Sequence, residues 1–487
     1  MSRSLYSQLV QRYGPRADAT TRREVLRRAL AASAGLVMGG CAGSGGFFAR
    51  KPAGKRVIVI GAGFAGLACA YELNQTGYDV NVFEARRRVG GRVFSMGDFV
   101  PGQVVEAGGE LIGANHPTWL AYARQFKLDL VDAGAAWAPD GAVVIDGKRL
   151  EERQVRQLKE EMDASYRRLM EDAHKVNAEE PWASEDAAAL DSRVMSTWVA
   201  SLDASPTCKR AITADLEAQA GVAAARQSYL GKLAQIKAGG FEKYWSESWL
   251  YRCRGGNQEL AVRLARSLGM VRLKLGVPVV AIHDTSGVVY VATADGKTYE
   301  ADDVVLAISP GAWRRIQIYP ELSAVLRVQG GSAVKFLAAM KSSFAKAKGG
   351  FSDGAISRAW GGTSSGEMAV VGYSAGPAAE AICRYGAELR DGACIAELQR
   401  LYPEFGKHVR ASRLIDWPAD PWTLGGICFP GAGDLTTTGA VLRKGQGHVH
   451  FAGEHCCWKF PGSMEGALSS GVVLARRLAV RDRVIDA

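Results

Sequence analysis

No stretch of this sequence approaches the ~20 consecutive apolar residues that a membrane-spanning helix requires. Its 9 cysteines include no CxxC pair and no histidine-spaced set, so the usual zinc-site patterns are absent and no metal is expected. No basic stripe interleaved with aromatics is present, which argues against a nucleic-acid partner. The net charge of +10 has a local source instead. Residues 1–50 hold eight arginines against only Asp18 and Glu24, a surplus of +6, and the rest of the chain carries +4. A folded body of that charge needs no polyanionic partner. There is no internal repeat, no long low-complexity linker and no visible Ser-His-Asp set. The 487 residues, 47% hydrophobic and 23% charged, suffice for two or three globular domains with sizeable cores.

The arginine-rich start reads as an address. Thr21 to Arg27 is TRREVLR, which resembles the twin-arginine export signal. The weakly apolar run from Ala29 to Gly40 is too short to span a bilayer. Cys41 follows Met38-Gly39-Gly40, which is similar to a lipoprotein cleavage box with Met38 in the place of the usual leucine. Lipidation at Cys41 and ordinary cleavage nearby both remain open. The resemblance implies a bacterial protein carried out by the twin-arginine machinery, periplasmic or anchored to the membrane as a lipoprotein. That route carries folded proteins, which suits an enzyme that binds its cofactor before export.

A nucleotide cradle follows. Arg56 to Ile60 (RVIVI) has the composition of a buried strand, and Gly61-Ala62-Gly63-Phe64-Ala65-Gly66 completes GxGxxG directly after it. Leu67 to Gln75 has helical composition, and Tyr78 to Phe83 is a second strand ending at Glu84. Gly61 permits the tight turn, Gly63 lets the backbone approach a pyrophosphate, and Gly66 lets helix and strand pack closely. The helix N-terminus offers N–H groups and the positive end of its dipole to phosphates. Glu84 suits ribose hydroxyls and would repel a 2′-phosphate, which disfavours NADP.

The residues beyond that point resemble the flavin amine oxidase family, which includes monoamine, polyamine and L-amino-acid oxidases. Glu84 to Arg92 reads EARRRVGGR, Glu106 to Glu110 reads EAGGE, and His450 to Gly471 reads HFAGEHCCWKFPGSMEGALSSG. The resemblance extends over nearly all of residues 54–480, specific at both ends and looser in the middle. It implies an α/β fold: a Rossmann-like FAD-binding domain of the GR2 type with an interleaved α+β substrate domain. The FAD-binding domain would take 54–130, 250–310 and 415–480, and the substrate domain 131–249 and 311–414. Residues 1–50 would be signal and linker. The cofactor implied is FAD, with Gly61, Ala62, Gly63, Ala65, Gly66, Glu84 and Ala85 around its nucleotide end. Arg92 would meet the diphosphate, Gly108, Gly109 and Glu110 the ring, and the Val279 backbone the adenine. Glu454 would meet the ribityl or diphosphate region, and Met464 would offer a backbone N–H at the start of a helix running to about Val480.

The family chemistry sends a hydride equivalent from the carbon beside an amine nitrogen to flavin N5. Oxygen then reoxidises the flavin to give peroxide, and the imine hydrolyses. Ser332 to Met340 (SAVKFLAAM) is an apolar run with Lys335 at its centre, and a lysine there is costly to bury without a role. In the family a lysine of this kind holds a water near flavin N5, which makes Lys335 the catalytic candidate. Two departures bear on substrate. Ser463 stands where monoamine oxidases place one of two aromatic walls, with Trp458, Phe460 or Trp422 as substitutes. The covalent flavin link does not fit the register of Gly425-Gly426-Ile427-Cys428, so FAD is expected to be non-covalent. A small-molecule amine and O2 are the expected partners. An L-amino-acid oxidase, or a dehydrogenase or desaturase with another electron acceptor, are the alternatives. Glu110 either attracts a cationic substrate or serves as a structural acid beside the flavin.

Overall fold

A computed structural model describes residues 3–14, 19–33, 54–133, 140–269, 272–285, 287–341, 344, 348–361 and 369–486. Cys41, Val271 and Ser286 lie outside them.

Two sheets organise the molecule. The first has five parallel strands, in spatial order Val449–Phe451, Asp303–Leu306, Arg56–Ile60, Asp79–Glu84 and Leu273–Leu275. Its central strand is apolar and buried from Val57 to Ile60 because neighbours cover it on both sides, as parallel sheets require. The helix Phe64–Gln75 leaves the end of that strand, and the helix Met464–Arg481 packs across it. Their contact is close because a Cβ on Gly471 would lie 2.3 Å from the Ala65 carbonyl oxygen. This is the α/β dinucleotide-binding arrangement that the motif spacing predicts.

The second sheet has seven strands, in spatial order Val409–Asp416, Ala333–Met340, Ala369–Ala375, Arg358–Gly361, Gly350–Ser352, Val143–Ile145 and Lys148–Arg149. Helices Pro377–Cys383 and Ala387–Leu401 cover one face. The other face meets helices Glu152–Ala173, Pro206–Ala220 and Tyr229–Ala238. The spacing of Leu158, Met162, Tyr166, Leu169 and Met170 reads as helical; the first four are buried on one side of Glu152–Ala173 and Met170 is partly buried against the same core.

Several expectations need correction. The sequence from Val271 to Asp284 reads as one strand-like stretch, but its described residues form two strands in different sheets. Gly276, at φ 72°, and Pro278 break it, so Leu273–Leu275 joins the parallel sheet while Val279–Thr285 pairs with Val288–Thr293. Strand Gln317–Tyr319 pairs with Val279–Thr285, so a boundary at 311 is early. Strand Val409–Asp416 lies wholly in the seven-stranded sheet, so the chain crosses back after Asp416 rather than at 415. Residues 1–50 are not all signal and linker. Helix Leu5–Tyr13 buries Leu5, Tyr6 and Leu9 in the same core as Tyr166 and Trp245.

Candidate active site

The turn between strand Arg56–Ile60 and helix Phe64–Gln75 is shaped by its glycines. Gly61 sits at φ 107°, where an L side chain is strained, and Gly66 lies so close beneath it that a Cβ would come within 2.0 Å of the Gly61 carbonyl oxygen. Gly63 differs: a Cβ there would meet nothing within 4 Å, because it faces a cavity. Glu84 closes the turn from the neighbouring strand, accepting the Ala62 amide at 2.8 Å on one oxygen and the Arg86 amide at 2.8 Å on the other. Ala65, Ala85 and Glu84 line the same cavity, whose empty volume is about 1550 Å³.

The glycine pair before Arg92 passes under this turn. The Gly90 amide donates to the Ala62 carbonyl at 2.8 Å, and a Cβ on Gly91 would lie 3.3 Å from Gly63 Cα. Arg92 donates to Glu454 Oε1 at 2.7 Å and to the Gly426 carbonyl at 2.7 Å. Glu454 also accepts the amides of Cys428 at 3.1 Å and Gly462 at 2.8 Å. Burial alone would raise the Glu454 carboxyl, but Arg92 and these donors hold it below the usual range. Glu454 is therefore the clasp between the two ends of the chain. Cys428 and His455 bring further potential metal ligands within 4.8 Å of it, but the Arg92 cation already holds this carboxylate.

At the Lys335 end the cavity wall is the seven-stranded sheet. Lys335 is 6% exposed; its ammonium donates to Glu110 Oε2 at 2.8 Å and to the Glu106 carbonyl at 2.9 Å. The other Glu110 oxygen accepts the Trp360 indole N–H at 3.0 Å. Glu110 is thus committed to Lys335 and Trp360, and does not line the cavity as an attractor for a cationic substrate. Glu106, behind it, accepts the Asn257 amide and the Ser95 hydroxyl, and burial pushes its carboxyl up to about 7. Gly108 cannot carry a side chain here, since a Cβ would lie 1.8 Å from the Arg92 carbonyl oxygen. Gly109 packs on the Met464 side chain, where a Cβ would stand 3.0 Å from the sulfur. Met464 opens the long C-terminal helix, with Ser463 as its N-cap accepting the Gly466 amide at 2.9 Å. Val277, Pro278 and Val279 line the opposite, Glu84-facing part of the cavity.

One continuous cavity therefore joins a dinucleotide cradle to a buried lysine. Two buried polar groups face it without a partner in the protein: both ring nitrogens of His455, and the Tyr373 hydroxyl. With the side-chain-free approach at Gly63, they fit a large polar cofactor laid along the cavity.

The profile of the family described as "Flavin containing amine oxidoreductase" matches residues 64–479. The chain belongs to this family. Its relatives among such amine oxidoreductases include a nicotine dehydrogenase of Pseudomonas putida, 25% identical over 93% of this chain and 96% of that protein. Amine oxidase A of Sus scrofa is 25% identical over 87% and 84% of the two chains. Among solved structures, cyclohexylamine oxidase from Brevibacterium oxydans IH-35A superposes with a TM-score of 0.79, at 25% identity, over 88% of this chain and 99% of that one. A flavin is the cofactor this membership implies, and the enzyme is an oxidoreductase of CH–NH groups.

Within this amine oxidoreductase the structure brings Lys335, Gly61, Gly63, Ala65, Glu84, Ala85, Arg92, Gly108, Gly109, Val279, Glu454 and Met464 to one cavity, whereas Ala62, Gly66 and Glu110 do not line it: Ala62 bonds to Glu84 and Gly90, and Gly66 packs beneath Gly61. Of the aromatic substitutes weighed for the missing wall, Trp422 lines it. Trp458 packs on Trp182, and Phe460 on His116, away from it. The walls beside Lys335 are Trp360 and Tyr373, with ring centroids 6.4 Å apart. Sequence reasoning missed both. Each stands on a strand that borders the lysine only after the sheet forms, and neither lies in a motif. Cys428 is deeply buried, which drives its thiol well above the usual range, and Ile427 rather than Cys428 lines the cavity.

Proposed function

We propose that this enzyme is an FAD-dependent oxidase of a small, largely apolar amine, with FAD held non-covalently. The carrying observation is the buried Lys335 at one end of the cavity whose other end is the dinucleotide cradle. When bound, the flavin accepts the hydride equivalent leaving the carbon next to the amine nitrogen and passes the electrons to dioxygen.

The protein's part is positioning. Lys335 spends two of its three N–H donors on Glu110 and the Glu106 carbonyl, which leaves one for a water in the cavity. Glu110 balances the lysine charge, so no unpaired carboxylate holds the substrate as an ammonium, and the amine reacts in its neutral form. Trp360 and Tyr373 give the apolar wall, and the Tyr373 hydroxyl offers one polar contact to the substrate. Burial pushes that hydroxyl up to about 12, so it stays a donor at neutral pH. The absence of a thiol on the cavity wall at Ile427 supports a non-covalent flavin. Of the three arginines lining the cavity among the described residues, Arg86 and Arg92 are paired with Asp420 and Glu454, which disfavours an amino-acid carboxylate at those two positions, and Arg315 lies over the Trp422 ring.

A second reading keeps the chemistry but changes the electron acceptor. It draws on the names of two relatives, nicotine dehydrogenase and an L-amino acid dehydrogenase of Synechocystis that is 24% identical over 86% of this chain and 94% of that protein. A panel of amines and amino acids assayed in air for peroxide separates the readings. Peroxide with amines supports the oxidase; turnover only with an added acceptor supports the dehydrogenase; no flavin spectrum in folded protein supplied with FAD overturns both. Export by the twin-arginine route is part of the proposal and places the enzyme outside the bacterial cytoplasm.

A further inference from the structure

The residues ahead of the twin-arginine stretch are built into the body of the enzyme. Arg3, Leu5 and Leu9 are at most 2% exposed. The Leu5 amide donates to the buried Asp215 carboxylate at 2.7 Å, the Tyr6 hydroxyl to Asp163 at 2.6 Å, and the Gln8 side-chain amide to the Gly349 carbonyl at 2.6 Å. Arg3 reaches the Trp249 carbonyl at 2.8 Å. The Tyr6 ring packs against Tyr166 and Trp245, with centroids at 4.6 and 5.3 Å. These partners come from separate helices and loops of the substrate half, so the segment fills a groove rather than lying on a surface.

The groove connects to the active site. Asp215, which takes the Leu5 amide, also pairs with Arg358. Arg358 lies on the strand that carries Trp360, two residues away and hence on the same face. Opposite Arg358 in the register stands Tyr373, and opposite Tyr373 stands Lys335. Helix Leu5–Tyr13 thus braces, through one buried carboxylate, the sheet face that forms the substrate wall. The helix Ala19–Ala32 that carries the twin-arginine pair comes next. Its Val25, Leu26, Ala29 and Leu30 pack on the dinucleotide half. The address therefore lies on the second of two docked helices.

We propose that residues 3–13 are a retained structural segment of the enzyme, held in their groove by their own contacts even when the chain behind them is cut. The proposal rests on the export reading only for where a cut would fall, and on the amine-oxidoreductase reading only for the activity assay. A specific protease site inserted within residues 15–18 of the full-length holoenzyme tests it. After complete cutting, the N-terminal peptide is expected to co-elute with the enzyme in gel filtration, seen as a 1:1 species by mass, with kcat/KM within about twofold of the uncut protein. A peptide that separates from the enzyme overturns the proposal, whatever the activity. In the cut enzyme, Tyr6→Ala combined with Leu9→Ala is expected to release the peptide and raise KM several-fold. Release without any change in KM or melting temperature overturns the bracing role. For the exported protein, peptides from residues 3–13 are expected by mass spectrometry in the purified active enzyme; their absence from active enzyme overturns retention. Failure of export itself would sink the localisation reading alone, because the cutting experiment works on protein from any compartment.

Discussion

The dinucleotide cradle and the substrate wall meet in one cavity but are built by opposite means. The cradle is mostly backbone. Its key positions, Gly61, Gly63, Gly66, Gly91 and Gly108, act through what they lack, and its turn and first acid lie within residues 61–84. The wall is side chains on neighbouring strands: Lys335, Trp360 and Tyr373, with Glu110 reaching in from the other half. Two arrangements follow. In the cradle, Gly61, Gly66 and Gly108 leave no room for an added atom and Gly63 leaves its room to the cofactor, whereas the wall is made of side chains that can be changed one at a time. The buried charges follow the same division: Glu454 bonds to Arg92 and two amides and serves the fold, while Glu110 bonds to two side chains of the wall, Lys335 and Trp360.

The largest effect expected separates two glycines of one motif. Gly66→Ala forces a Cβ to 2.0 Å from the Gly61 carbonyl oxygen, and backbone cannot yield there. It should cost about 3 kcal/mol or more and abolish folded protein, read by thermal melting. Gly63→Ala meets no protein atom, so it should melt like the parent yet bind flavin at least about tenfold more weakly, a loss of ~1.4 kcal/mol. Equal melting of the two variants would break the distinction between packing and cofactor glycines.

Lys335→Met comes next. It leaves the buried Glu110 carboxylate with only the Trp360 N–H and the Arg252 guanidinium 4.0 Å away, and should destabilise by about 3 kcal/mol, with flavin still bound and turnover down at least tenfold. Lys335→Met with Glu110→Gln should recover much of the stability and none of the turnover. A double variant no more stable than the single one would show that the pair is not what the wall depends on.

Glu106 sharpens the contrast through pH. Its folded carboxyl titrates near 7, above an ordinary value near 4.5, so the folded state keeps a proton that the unfolded chain has released. Its contribution to stability therefore falls as pH rises from about 4.5 to 7. His455 acts in reverse, since burial lowers it to about 4 and the stability tied to it is lost as pH falls from 6.5 towards 4. Melting curves of Glu106→Gln against the parent isolate the first effect, and the variant should lose the decline between pH 4.5 and 7. An unchanged pH profile would remove Glu106 from the charge balance behind Lys335.

The smallest effect belongs to Tyr373→Phe. Its hydroxyl has no partner in the protein, so stability should change by less than about 0.5 kcal/mol, while KM for the amine rises a few-fold. A loss of stability without a change in KM would make the hydroxyl structural instead.

Legibility in the sequence follows range. Gly61 to Glu84 could be read because a turn, a dipole and an acid act within some twenty residues of chain, and chemistry at that range leaves a pattern. Lys335 was legible for another reason: a charge amid an apolar strand is an anomaly in any register. Trp360 and Tyr373 left no such sign, since aromatic residues in strands are ordinary core until neighbouring strands bring them beside the lysine. Helix Leu5–Tyr13 was grouped with the address because it precedes the twin-arginine stretch, and the groove for its Leu5, Tyr6 and Leu9 exists only in the folded chain.

By itself, then, the sequence determined the dinucleotide cradle, the family and the presence of a lysine in an apolar strand, because each depends on local backbone geometry or on a charge out of place. Only the tertiary structure decided that Glu110 pairs with that lysine, that Glu454 joins Arg92 to the C-terminal segment, and that the first residues dock in the substrate half. Those are contacts between residues tens to hundreds of positions apart, and burial gives such contacts their strength only once the intervening chain has folded.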